Sequence, residues 1–142
     1  MDIVINEKPG FFNLSIYGKK KLAEKKSLDV FYYVESKDSK GHIEYHRLDI
    51  IPEEDYDYLI VTRNLGATIR DFPDVKGLFF FPNDISRDDG DLINLLREHG
   101  SNMISGPCSK LKVVTIPDDV DWTLTCGGDG TEWIAEKHRT WN

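Results

Sequence analysis

The sequence has little cysteine and no long apolar run. Two cysteines, Cys108 and Cys126, occur among its 142 residues, which is too few for a disulfide framework or a zinc site. We expect both to be buried thiols in a reducing cytoplasm. No apolar stretch approaches the roughly 18 residues of a membrane helix, and the N-terminus does not have the layout of a signal peptide. We therefore expect a cytoplasmic protein without a membrane segment.

Positive charge is also scarce. The formal net charge is −7, from 18 basic and 25 acidic residues. A protein that coats DNA or RNA needs a basic face to displace counterions, so a general nucleic-acid-binding protein is not expected. A small anionic ligand needs only a few local cations and stays compatible with this charge. The apolar share of 39% is ordinary for a soluble globular protein, and the length predicts one domain over residues 1–142.

Hydrophobic patterning predicts an α+β fold. Runs of β-branched and aromatic residues predict strands at 2–6, 28–36, 42–50, 57–63, 78–81, 110–116, 121–126 and 132–141. Helices are predicted at 15–27, with Ser15 as the N-cap, and at 91–100, with Gly100 as the terminating residue. This order predicts a single domain with a mostly antiparallel β-sheet, two helices and a C-terminal β-hairpin.

The last predicted strand is rich in aromatic and cationic side chains. Because alternate residues of a strand face opposite ways, Trp133, Arg139 and Trp141 share one face and His138 lies on the other. An indole offers a stacking plane for a base, and an arginine fork grips phosphate. The same side chains are also typical of a packed core or a subunit interface. The sequence leaves both interpretations open.

A second candidate is the segment just before the helix at 91–100. Asp88, Asp89 and Asp91 crowd the start of this helix, where negative side chains suit the helix dipole, so capping explains the acids. A cation at the same place opposes the dipole. Arg87 is therefore either paired with its acidic neighbours or directed at an anionic ligand.

A third candidate is the turn at Pro9-Gly10, which leads through Phe12 and Asn13 to the first predicted helix. Free backbone N–H groups at a helix N-terminus can bind an anion, and Phe12 and Asn13 would then contact a base and a ribose. A hydrophobic staple that closes the helix explains the same residues equally well. The segment lacks the GK[ST] signature of a P-loop.

An enzymatic alternative uses histidine. Two-histidine phosphoesterases carry a pair of His-x-Ser/Thr motifs on strands, and this chain has HGS at 99–101 and HRT at 138–140. The second motif, with His138 and Thr140, lies on a predicted strand, whereas the first lies at a helix end. His42 and His46 have a spacing that brings ligands together on a helix, but their segment predicts a strand. We expect no metal site and no cofactor.

Three blocks of the sequence resemble a known family. The segments 5–15, 85–100 and 108–141 are similar to blocks of a widespread set of small phage and prophage proteins, the Thoeris anti-defence family. The last block is the most specific, with IPDDV, a tryptophan, an Asp-Gly hairpin and the arm EWIAEKHRTW. The chain departs from the family pattern at Phe11, where a second glycine is usual, and at Gly90, where proline is usual. Its CGGDG turn replaces a more usual acidic-aromatic run.

The resemblance implies a function and a set of partners. Members of this family are sponges that bind and sequester a cyclic ADP-ribose isomer made by a bacterial TIR-domain enzyme, without cleaving it. Some members also hold cyclic oligonucleotides, and they assemble as homo-oligomers. By resemblance, this chain would act in the cytoplasm of an infected bacterial host. It would have no catalytic residue and no nucleic-acid polymer or membrane as a partner.

The resemblance also implies which side chains contact the ligand, which has an adenine, two riboses and a pyrophosphate. Aromatic planes would come from Phe12, Trp133 or Trp141, ribose contacts from Asn13 or Asp88, and pyrophosphate contacts from Arg87 and Arg139, with His138 completing the set. Two alternatives from other classes stay open. One is a nucleotide phosphoesterase that uses His138 and Thr140, and the other is an acidic module that inhibits a host protein by occupying a basic site.

Overall fold

The computed structural model describes residues 1–50 and 58–136. The chain divides into two compact units, one formed by Met1–Leu22 with the described residues from 83 onward, and one formed by Ala23–Pro82. Every pair of adjacent strands in the described residues is antiparallel. The predicted fold class, α+β with mostly antiparallel strands and a C-terminal β-hairpin, is confirmed.

Eight strands and three α-helices are found in the described residues. In chain order they are β1 (Asp2–Asn6), α1 (Ile16–Lys25), β2 (Phe31–Lys37), β3 (Ile43–Arg47), β4 (Tyr58–Val61), β5 (Thr68–Ile69), α2 (Gly90–His99), α3 (Ser101–Ile104), β6 (Leu111–Thr115), β7 (Trp122–Cys126) and β8 (Glu132–Glu136). The strands form three sheets, with the orders β1-β6, β4-β2-β3-β5 and β7-β8.

In the first unit, β1 and β6 pack with α2. The sheet contributes buried side chains such as Val4 and Leu111, and α2 buries four apolar residues between Leu92 and Leu96. The helix begins where Asp89 Oδ1 accepts a hydrogen bond from Leu92 N at 3.0 Å, and it ends at Gly100, whose N–H donates to Leu96 O. Capping by one of the acids before α2, and termination at Gly100, are therefore confirmed.

Helix α1 begins as the sequence predicts. Ser15 Oγ accepts a hydrogen bond from Gly18 N at 2.9 Å, and Ser15 O accepts one from Lys19 N. The hydroxyl satisfies one of the N–H groups that a helix leaves without a partner in its first turn. Because Ser15 N also donates to Ile104 O, the cap residue ties the start of α1 to the end of α3.

The second unit is the four-stranded sheet. Strands β2 and β3 form the predicted hairpin, with Tyr33 opposite Arg47 in their register. Tyr33, Val61 and Leu78 form a buried cluster, against which half-buried apolar side chains from neighbouring segments pack. Along β2 the adjacent Tyr32 and Tyr33 are both buried, so side chains on both faces of the strand are covered there, whereas the residues after Val34 alternate between exposed and half-buried.

Two predictions of local structure are wrong. The apolar run 78–81 is not a strand, because it pairs through a single bridge between Phe79 and Val61 and then enters a 3₁₀ turn at Pro82–Asp84. The additional strand of this sheet is Thr68–Ile69, which pairs with β3. A short helix, α3, which is not among the two predicted helices, follows Gly100.

The cysteines are exposed, which corrects the expectation of buried thiols. Cys108 lies in the loop before β6, and Cys126 ends β7 beside the hairpin turn. Loops and strand ends lie mostly at the protein surface, so side chains at such positions are usually exposed to solvent. Both thiols are free. Within the described residues, no helix is long and apolar enough to cross a membrane.

Two adjacent buried tyrosines of β2 provide a matched pair of substitutions. Tyr33 Oη donates to Gly66 O at 2.7 Å and accepts from Leu65 N at 3.0 Å, whereas Tyr32 Oη has no hydrogen-bond partner among the described residues. Burial raises the pKa of Tyr32. Tyr33→Phe should lower the free energy of unfolding by about 1–3 kcal/mol, since it leaves a carbonyl and an N–H without their partner.

Tyr32→Phe serves as the control for that substitution. It removes a hydroxyl that has no hydrogen bond to lose, so stability should stay unchanged or rise slightly. Urea unfolding, compared at equal m values, measures both variants. Equal losses in the two variants would contradict the different surroundings of the two hydroxyls.

Candidate functional site

The structure brings together two of the predicted ligand-binding residues, Phe12 and Arg87. The guanidinium carbon of Arg87 lies 3.6 Å from the centroid of the Phe12 ring, which is the geometry of a cation–π contact. Phe12 is itself buried, with 9% of its surface exposed. The ring is therefore covered on one face by Arg87 and has little surface left for a base.

Arg87 also forms a bidentate ion pair with Glu132, the first residue of β8. Its Nη1 lies 2.5 Å from Glu132 Oε1 and its Nη2 lies 2.9 Å from Oε2. The two side chains are 19% and 7% exposed. Arg87 is thus paired, as the sequence allowed, but with an acid 45 residues away rather than with its acidic neighbours.

Asn6 extends this pair into a buried polar network. Glu132 Oε1 accepts a second hydrogen bond, from Asn6 N at 2.8 Å. The fully buried Asn6 side chain donates to Lys8 O and Gly130 O, and its Oδ1 accepts from Lys110 N. A network of this kind fixes geometry, because each buried polar group that loses its partner costs free energy. It ties β1 to the hairpin turn and to the start of β6.

Asn13 has an unusual environment. Its backbone oxygen accepts hydrogen bonds from Gly106 N at 3.0 Å and Ser109 Oγ at 2.6 Å, so its position is fixed. Its Oδ1 is buried and, among the residues that the structure describes, has no hydrogen-bond donor. The carboxamide lies against Gly106, where a Cβ atom would come within 2.3 Å of Oδ1. A buried acceptor without a donor is uncommon in folded proteins, because such a group has lost its hydrogen bonds to water without replacement.

The hairpin turn contacts the N-terminal loop through backbone atoms. Gly10 N donates to Asp129 O at 2.7 Å, and a Cβ atom on Gly130 would lie 1.3 Å from Gly10 O. A hydrogen bond from Thr131 N to Asp129 Oδ1 helps to shape the turn and lowers the pKa of Asp129. The loop that carries Phe12 and Asn13 is therefore placed by the turn that precedes β8.

The other predicted site residues are less closely associated. Asp88 is exposed and accepts a hydrogen bond from Ser86 Oγ, while the neighbouring Asp89 caps α2. Trp133 is 47% exposed, on the opposite face of β8 from the buried Glu132. His138, Arg139 and Trp141 lie outside the described residues, so the predictions made for them stay predictions.

Sequence reasoning missed Glu132 and Asn6. Glu132 begins a strand whose next residue is an exposed tryptophan, so period-two alternation turns the acid inward, where it needs a cation. That signal was available, but it does not name the cation. Nothing in the local sequence of Asn6 indicates that its amide joins three segments.

The histidine motif at 99–101 does not lie on a strand. His99 ends α2, its Nδ1 lies 3.2 Å from Tyr17 Oη, and the two rings meet edge-on. Ser101 Oγ donates to Leu111 O. In the described parts of the chain, 1–50 and 58–136, no three His, Cys, Asp or Glu side chains are placed to hold a metal ion.

Comparisons of the chain with protein-family models, with curated proteins and with solved structures find no match. The resemblance to the Thoeris anti-defence family therefore stays a prediction that depends on the three sequence blocks. The candidate site is defined by its own geometry, namely Asn13 beside Gly106 and the stacked pair of Phe12 and Arg87 held by Glu132.

Proposed function

We propose that the protein is a sponge that binds and sequesters a cyclic nucleotide signal of the cyclic ADP-ribose class without cleaving it. One observation carries the proposal: the buried Oδ1 of Asn13 has no donor among the described residues, and Asn13 directly follows Phe12, on whose ring the Arg87 guanidinium stacks. A ribose hydroxyl is a donor of the kind that this oxygen lacks. The three sequence blocks that resemble the anti-defence family support the same ligand class.

The geometry changes the roles within the proposed site. Displacing Glu132 from Arg87 would leave a mostly buried carboxylate without its cation, which is costly, so Arg87 acts here as a positioning residue for the loop of Phe12 and Asn13. The aromatic plane proposed for the adenine is then Trp133, which is half-exposed and lies on the face of β8 opposite Glu132. The pyrophosphate would then bind to Arg139, and Trp141 and His138 from the same C-terminal segment would make further contacts.

Asn13 can reach a ligand by a small movement. The residue is 8% exposed, and rotation of a terminal amide about χ2 has broad, shallow minima. Such a rotation presents Oδ1 to a ribose hydroxyl while the backbone contacts with Gly106 and Ser109 stay in place. Sequestration also requires slow release, which a site closed by a second copy of the chain would supply.

The proposal is tested by recovery of intact signal. The protein is incubated with extract from cells that make TIR-derived cyclic ADP-ribose, filtered, and then heat-denatured. Release of intact signal by heat is the expected result, because a sponge does not alter its ligand. Signal that disappears and does not return would indicate cleavage, and signal that is never retained would exclude both activities.

Asn13→Ala provides a residue-level prediction. The variant should retain about tenfold less ligand, the equivalent of one hydrogen bond, since the ribose hydroxyl loses its acceptor. The loss of Oδ1 should change the free energy of unfolding little, because this atom has no hydrogen-bond partner among the described residues to lose. Asn102→Ala, an exposed asparagine on α3, is the control and should retain ligand normally. Equal retention by both variants would remove Asn13 from the site.

A second candidate function, binding to a host protein, is favoured by a different observation. Phe79 and Phe81 stack on each other, 5.9 Å apart, with 37% and 59% of their surfaces exposed. Exposed aromatic pairs are typical of protein interfaces. The extract experiment separates this function from the first, since a protein-binding inhibitor would neither retain nor destroy the nucleotide signal.

A further inference from the structure

A shallow groove of about 250 Å³ runs between the C-terminal half of α2 and strand β6. Its apolar floor is formed by Leu96, Leu111 and Val113. Leu96 and Leu111 belong to the packed interior of the first unit, and Val113 is half-buried, so the floor is held largely by the core. The groove is smaller than the pockets of about 300–1,000 Å³ that take drug-sized ligands, so its occupant must be compact.

The rim of the groove on the β6 side carries Lys110 and Lys112. Both lysines line the groove, and their ammonium groups converge on one carboxylate. Both pair with the same carboxylate, since Lys110 Nζ lies 3.2 Å from Glu7 Oε1 and Lys112 Nζ lies 3.7 Å from Glu7 Oε2. The bridging Glu7 carboxylate shows where an anion sits between the two lysines.

The opposite rim carries Arg97. Its Nη2 lies 2.7 Å from Asp2 Oδ2, while Asp2 Oδ1 accepts a hydrogen bond from Thr115 Oγ1. The hydrogen bond from Thr115, followed by that from Arg97, lowers the pKa of Asp2, so this carboxylate stays ionised and holds Arg97 at the rim. The three cations of the rim face the two carboxylates Asp2 and Glu7, which leaves a local positive excess in a chain of net charge −7.

We propose that this groove binds a small phosphate monoester. The phosphate takes the place of the Glu7 carboxylate between Lys110 and Lys112, and the organic part of the ester lies on Leu96, Leu111 and Val113. A phosphate dianion complements two ammonium groups better than a single carboxylate does, and lysine is a common phosphate binder. The exchange is easy because exposed ion pairs such as those of Glu7 contribute little to stability. This site is separate from the proposed nucleotide function and does not depend on it.

Binding is measured by calorimetric titration of the full chain with two probes, inorganic phosphate and phenyl phosphate. We expect saturable binding of phenyl phosphate that weakens as salt is added, because exposed charges are screened. Phenyl phosphate should bind several-fold more tightly than inorganic phosphate, because its ring covers the apolar floor. Absence of saturable binding, or equal affinity for the two probes, would overturn the proposal.

Substitutions with opposite expected signs locate the site. Glu7→Gln should tighten the binding of phenyl phosphate several-fold, since it removes the competing carboxylate, and Lys112→Gln should weaken it by about tenfold. Asp119→Asn and Lys76→Gln change net charge by the same amounts at exposed positions elsewhere and serve as matched controls. If the controls shift affinity as much as the groove variants do, the effect is one of overall charge and the proposed site is wrong.

Discussion

Glu132→Ala should lower the free energy of unfolding by about 3 kcal/mol. The substitution leaves the Arg87 guanidinium without its bidentate acceptor and Asn6 N without the Oε1 atom that it donates to. Breaking a buried pair costs about 3–5 kcal/mol, and the 19% exposure of Arg87 places this case at the lower end. Urea unfolding followed by tryptophan fluorescence measures the loss, because Trp122 and Trp133 lie on the hairpin itself.

The control for this substitution is Glu136→Ala. Glu136 lies at the other end of β8 and is exposed, so its loss should change stability by no more than about 0.5 kcal/mol. A double-mutant cycle with Arg87→Ala isolates the pair and should give a coupling of about 2 kcal/mol. If the two single losses simply add, the ion pair is not what holds β8 to the segment before α2.

The same cycle bears on the nucleotide proposal. Arg87 donates to Val4 O as well as to both oxygens of Glu132, which occupies most of its five N–H groups. It has little donor capacity left for a pyrophosphate. Variants of Arg87 should therefore reduce ligand retention only as far as they displace the loop of Phe12 and Asn13. A variant that keeps full stability and loses retention would instead give Arg87 direct contact with the ligand.

Local signals in the sequence predicted much of the fold. Strand β1 occupies the predicted residues, and Ser15 and Gly100 mark helix ends as their chemistry indicates. These features depend on neighbours within a few residues, which the sequence displays directly. The run at 78–81 failed for the opposite reason. An apolar run becomes a strand only when a second strand pairs along it, and Phe79 has a single bridge to Val61.

The candidate site was predictable only in part, because its contacts join distant segments. Phe12 and Arg87 were both chosen from the sequence, but their stacking and the role of Glu132 could not be inferred. For Arg87 the sequence offered either its acidic neighbours or a ligand, and Glu132 was a partner that neither alternative included. The unpartnered Oδ1 of Asn13 is likewise a property of the folded surroundings, since it depends on Gly106.

Gly130→Ala should lower the free energy of unfolding by about 3–4 kcal/mol, from steric overlap and left-handed backbone strain together. A Cβ atom at this position would lie 1.3 Å from Gly10 O and 2.5 Å from Gly10 C, and no side-chain rotation can relieve a clash with backbone atoms. The φ angle of 89° adds strain for any residue other than glycine. Urea unfolding measures the loss, and the hydrogen bond from Gly10 N to Asp129 O should be lost with it.

Gly128→Ala adds the same methyl group to the same turn, but at a position where a Cβ atom meets nothing within 4 Å. Its effect should stay within about 0.5 kcal/mol. A large loss at Gly130 with little loss at Gly128 would assign the cost to the contact with Gly10 rather than to the turn. Because that contact places the loop of Asn13, Gly130→Ala should also reduce nucleotide retention while Gly128→Ala leaves it unchanged. If Gly130→Ala is as stable as the unmodified protein, the loop does not dock on the turn in this way, and the environment of Asn13 that supports the nucleotide proposal loses its basis.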